Sequence, residues 1–90
     1  MLGSVAAPEV HPEAWRDEEH RAMLRRAIDL VRQRTPVDAW ITFSGTILDG
    51  RDVGEIAAEI GKSVGAVYAA RARIVKQIRS ESQRLQKELD

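Results

Sequence analysis

Residues 53–72 read VGEIAAEIGKSVGAVYAARA, and their order decides the fold. Val53, Ile56, Ala57 and Ile60 recur at helical spacing, which predicts one short helix with a single apolar face. Asp52 is its candidate cap, and Glu55 three residues on makes a capping box of the Asp type. Gly61 follows and can take the left-handed conformation that stops a helix abruptly. Ser63 then offers a hydroxyl to cap a second helix, whose inward positions run Val64, Val67, Ala70, Ile74 and Ile78. Ala57 and Gly61 are small where two helices joined by a three- or four-residue turn come closest. The pattern is a helix-turn-helix, a unit whose second helix enters the major groove of DNA.

The charge distribution agrees with that placement. The chain has 90 residues, with 14 Lys+Arg against 14 Asp+Glu and no formal net charge. From Ile60 to Ser80, however, there are five cations (Lys62, Arg71, Arg73, Lys76, Arg79) and no acid. The rest of the chain is correspondingly acidic, so a duplex meets the positive helix first and the distant charges are screened.

Outward from the motif, no segment carries a strand signal and four helices are expected. The first runs from about Glu13 or Trp15 to Arg34, with Leu24, Ala27, Ile28 and Val31 as its apolar stripe. Asp17, Glu18 and Glu19 fall in its early turns, where the helix dipole favours them. Thr35-Pro36 breaks it. The second starts near Pro36 or Val37 and runs to Leu48, with Val37, Trp40, Ile41, Ser44 and Leu48 on one face, extended by Phe43 and Ile47. Asp49-Gly50 ends it. The fourth starts at Ser63 and meets no breaker, and Leu85 and Leu89 prolong its apolar edge beyond the domain, where it must fray or find a partner. The expected architecture is all-α, a compact four-helix domain with a long C-terminal recognition helix. Residues 1–12 are expected to be disordered and 13–90 to form the domain. Trp15 and Trp40 are read as core or staple residues.

The residues expected to meet DNA follow from placing 62–80 at 100° per residue. Gly65, Ala66, Ala69, Arg73 and Lys76 lie opposite the apolar side, with Lys62 and Ser63 at the N-terminal tip. Small residues at 65, 66 and 69 allow close approach to base edges, and Arg73 reaches a guanine edge or a phosphate. Lys76 and Arg79, further along, suit phosphates. Tyr68 and Arg71 flank this face, and Arg51 before the motif is a further phosphate candidate. No Ser/His/Asp or Cys/His set and no phosphate-cradling glycine loop is present, so no catalytic residue, cofactor or small-molecule substrate is expected. His11 and His20 have no partner at ligand spacing, which predicts no metal site. The sequence has no cysteine, which fits a reducing cytoplasm, and no apolar run long enough to span a membrane.

These residues resemble a known family. AWRDEEHRAMLRRAIDLVRQRT and DAWITFSGTILDGRDVGEIAAEIGKSVGAVYAARARIVKQIR are similar to region 4, the C-terminal domain, of extracytoplasmic-function sigma factors. The group with the nearest likeness has a tryptophan and a phenylalanine in the second helix, Gly-Arg before the motif, then VAxELGxSVGAVYxAxxRV. Trp40, Phe43, Gly50-Arg51, Ile56 to Gly61, Ser63 to Tyr68, Ala70, Arg73 and Ile74 carry the likeness. The resemblance implies recognition of the promoter −35 element by the helix starting near Ser63. It also implies docking on the β-subunit flap of RNA polymerase core, with anti-sigma factors as further partners. Nothing here resembles the family's region 2, so an excised domain and a stand-alone regulator both fit. Two alternatives remain beside promoter binding: a module whose main partner is the polymerase flap or an anti-sigma factor, and a dimeric regulator joined through Leu85 and Leu89.

Overall fold

The computed structural model describes residues 12–89, and the side chains of 18–88. Four α-helices follow in order: α1 (Pro12–Gln33), α2 (Val37–Phe43), α3 (Val53–Ile60) and α4 (Val64–Leu89). No strand occurs among the described residues. The expectation of disorder before the domain, apart from Pro12, lies outside the described residues, as do the side chains of Trp15 and Leu89.

Local chemistry sets the helix ends. Beyond α1, the amides of Arg34 and Thr35 donate to the carbonyls of Val31 and Arg32, both at 3.2 Å. The Thr35 hydroxyl adds a bond to Val31 O at 2.5 Å. Pro36 then flanks α2 with extended geometry, φ −58° and ψ 150°, and its carbonyl accepts from Trp40 N at 2.9 Å. Its fixed φ prepares the chain for the helix that follows.

The second helix departs from the sequence reading at Ser44. Residues 44–48 form a π-helical turn, closed by Asp49 N donating to Ser44 O five residues back at 2.9 Å. A π turn takes more residues per revolution than an α turn, so side chains beyond it rotate off a stripe drawn at 3.6 residues. Ile47 and Leu48 are accordingly 47% and 55% exposed, against the expectation that they extend the apolar face. Val37, also expected on that face, is exposed because it is the first residue of α2 and lies beyond the core. The π turn brings Gly45 onto α3, where a Cβ would lie 2.6 Å from Ile56 Cδ1. Glycine fits there because a larger residue would press on the buried Ile56 side chain.

Every other helix packs on α4. One cluster joins α1, α2 and α4 through Met23, Ala27, Val31, Phe43, Ile74, Ile78 and Leu85. Trp40 is half-buried against this cluster, with its ring 5.2 Å from that of Phe43, while Phe43 is the fully buried member. A second cluster, Ile56, Ala57 and Val67 with Ile41, Val53 and Ile60 around it, holds the helix-turn-helix together. The C-terminal half of α4 lies along α1. Leu85 is buried there, and Arg34 Nη1 bonds Glu81 Oε2 at 2.9 Å across the two helices. Leu85 is thus packed within the chain.

Candidate nucleic-acid interface

The turn before α4 is built from backbone bonds. Gly61 takes φ 68° and ψ 36°, and its N–H donates to Ala58 O at 3.4 Å while Lys62 N donates to Ala57 O at 2.9 Å. This pair of bonds is the Schellman arrangement. Nothing lies within 4 Å of a Cβ added at Gly61, so this glycine serves its dihedral and not a close helix contact. The sequence reading gave it both roles, sharing the second with Ala57, and of the two it is Ala57 that is buried between α3 and α4.

Ser63 Oγ accepts from Ala66 N at 3.0 Å, capping α4, whose first helical residue is Val64. Val64 is 47% exposed, not inward, because the first turn of α4 projects past the cluster that begins at Val67. On α3, Asp52 Oδ2 accepts from Glu55 N at 3.3 Å, the forward half of the capping box. The Glu55 carboxylate turns instead toward Arg51.

The side chains expected to meet DNA fall into three groups. Lys62, Ser63, Gly65, Ala66, Ala69, Arg73 and Lys76 are exposed together along the outer side of α4. Among the described residues, no carboxylate lies within salt-bridge distance of Lys62, Arg73, Lys76 or Arg79. Arg71 is half-buried and engaged: its guanidinium lies 4.9 Å over the Tyr68 ring, and Nη1 donates to Thr46 Oγ1 at 3.3 Å. It therefore braces the half-exposed Tyr68 and ties α4 to the π turn. Arg51 is also engaged. Its Nη2 is 2.7 Å from Glu59 Oε1 and its Nε 3.7 Å from Glu55 Oε1. The bond to Glu59, ahead of the surrounding carboxylate charges, raises its already high pKa.

Two features went unread in the sequence. A cleft of about 330 Å³ between the start of α2 and α4 places Asp38 beside Lys62, Ala66 and Arg73. No short-range pattern links position 38 to 73, so only the packing of α2 on α4 reveals this acid at the edge of the basic face. On the opposite flank, Ile47, Tyr68 and Val75 line an open groove with Arg71, Lys76 and Arg79. Lys76 and Arg79 are thus divided between the outer face and an apolar strip. Arg79 is also 16 residues from Ser63, or roughly 24 Å along the helix.

No group of three or more His, Cys, Asp or Glu side chains among the described residues is placed to hold a metal ion. No helix of the described residues is long and apolar enough to cross a membrane. Comparison with known proteins adds no relative: no family model, curated protein or solved structure matches the chain.

Proposed function

We propose that this chain is a sequence-specific DNA-binding module, and that it acts as a sigma-factor region 4 on the promoter −35 element in transcription initiation by bacterial RNA polymerase. One observation carries the DNA-binding part: the exposed side of α4 joins small residues at 65, 66 and 69 to the cations Lys62 and Arg73, neither of them within salt-bridge distance of a carboxylate among the described residues, with Asp38 at the edge of this face. Small side chains admit the helix to the groove, and unpaired cations release counterions from the phosphates. The sigma-factor part rests on the residue pattern alone, from Trp40 and Phe43 through Ser-Val-Gly-Ala-Val-Tyr to Arg73.

Selection from a randomised duplex library with the purified chain tests the reading. A single enriched motif, with affinity falling steeply as salt rises, supports it. Recovery of unenriched sequence overturns the specific part, and salt-independent binding overturns the electrostatic part. Adding the polymerase flap domain to the motif-bearing duplex then tests the sigma assignment, which requires a ternary complex.

The second reading, a module that docks mainly on protein, is favoured by the exposed apolar strip. Ile47 and Tyr68 are each about half exposed, in the groove they share with Arg71 and Lys76, and Leu48 next to Ile47 in the chain is exposed as well. Exposed aliphatic side chains with cations at the rim suit an acidic, apolar partner segment such as a flap or anti-sigma helix. The two readings use different flanks of α4. Under the second, Ile47→Asp abolishes partner binding while leaving duplex affinity intact.

A further inference from the structure

The helix-turn-helix has opposite charges on its two helices. α4 and the turn before it carry five cations and no acid between positions 62 and 80, whereas α3 and its cap carry Asp52, Glu55 and Glu59. Glu55 and Glu59 are both exposed and lie one turn apart on α3, flanking the face that buries Ile56 and Ala57. In this class of motif the first helix crosses the DNA backbone while the second enters the groove. Two bare carboxylates on that helix would oppose the phosphates.

Arg51 answers this charge. Its side chain lies along α3 from the loop before it, with Nε toward Glu55 at 3.7 Å and Nη2 on Glu59 at 2.7 Å. A planar guanidinium can span two acids one turn apart, which a lysine ammonium cannot do as well. Its backbone is fixed separately, since Arg51 N donates to Gly45 O at 2.8 Å. A phosphate would compete with Glu59 for the same guanidinium.

We infer that Arg51 is a positioning residue which aids duplex binding by neutralising Glu55 and Glu59, rather than by contacting a phosphate. This rests on the DNA-binding reading above. It differs from a direct contact in one measurable respect: part of the benefit of Arg51 depends on the two acids.

The test is a four-variant cycle on the motif-bearing duplex at low salt: wild type, Arg51→Ala, Glu55→Gln/Glu59→Gln, and the triple variant. Melting curves establish that each is folded, and Arg51→Lys serves as a second probe that keeps the charge but not the fork. Arg51→Ala is expected to weaken binding about two- to fivefold, the scale of one unit charge acting across water. In the Gln/Gln background the same substitution should cost less than in the wild type, by the share that comes from holding the two carboxylates, and Arg51→Lys should fall between. An Arg51→Ala loss that is equal or larger in the Gln/Gln background shows that Arg51 acts independently of the two acids and overturns this inference alone. Failure of the wild type to bind any duplex overturns the DNA-binding reading and this inference with it.

Discussion

Gly45→Ala inserts one methyl group at the contact between the π turn and α3. The added Cβ would lie 2.6 Å from Ile56 Cδ1, 3.3 Å from Ile56 Cγ1 and 3.7 Å from Ile41 Cγ2. The first distance is well inside van der Waals contact, and Ile56 is 0% exposed, so its side chain can shift only against other core atoms. Overpacking of this kind costs about 1–3 kcal/mol. Against it stands the gain from replacing glycine within a helical segment, up to about 1 kcal/mol. The net expectation is a destabilisation of about 1 kcal/mol, or a melting temperature lower by roughly 4–8 °C for a domain this size. Ile56→Val removes the clashing Cδ1 and alone costs about 0.5–1.5 kcal/mol. The double variant should therefore be more stable than the sum of the two predicts, with a coupling of about 1 kcal/mol. Urea unfolding of all four proteins, followed by circular dichroism, measures it. Strict additivity, or a Gly45→Ala protein more stable than wild type, would refute the packing argument.

Other substitutions probe separate parts of the account. Gly61→Ala forces a Cβ into φ 68° and should cost about 1–2 kcal/mol of unfolding free energy by urea titration, although no atom is in the way. Leu85→Ala should lower stability by about 2–5 kcal/mol, with the mass by light scattering unchanged from wild type, because Leu85 packs within the chain. Hydrogen bonds from Arg84 and then Arg34 hold the Glu81 carboxyl below its usual pKa. A depressed carboxylate pKa stabilises the fold above the unfolded value, near about 4.3, and that contribution is lost as pH falls through the folded value. The melting-temperature gap between wild type and Glu81→Gln should thus be open at neutral pH and close under acid. A gap independent of pH would rule out the ion pairs as its source.

What the sequence revealed, and what it concealed, divides by range. The caps at Asp52 and Ser63 and the stop at Gly61 act through bonds between residues three to five apart, so each was legible from residue type and spacing. The apolar stripes of α1, α3 and α4 likewise follow from periodicity, with Val64 missed only because it precedes the covered part of its helix. The π turn was not legible, since no residue type marks it, and periodicity drawn at 3.6 carried Ile47 and Leu48 into a core they do not join. Distant pairings were hidden as well. The Arg34–Glu81 bond joins positions 47 apart, and Asp38 meets the basic face only through the packing of α2 on α4. For the candidate interface, the outer-face residues could be chosen by helical angle, but whether each cation was free could not. Arg51 and Arg71 share residue type with Arg73 and differ only in having Glu59 and Thr46 within reach.

The central claim is that the outer side of α4 from Lys62 to Arg73 meets DNA. Backbone amide shifts of the isotopically labelled chain, titrated with the selected duplex, test it most directly. The account predicts the largest shifts at residues 62–69 and near Arg73, smaller ones at the start of α3, and almost none around Met23 and Leu85. Shifts centred on Ile47, Leu48 and Val75, with the tip at Lys62 and Ser63 unmoved, would contradict it.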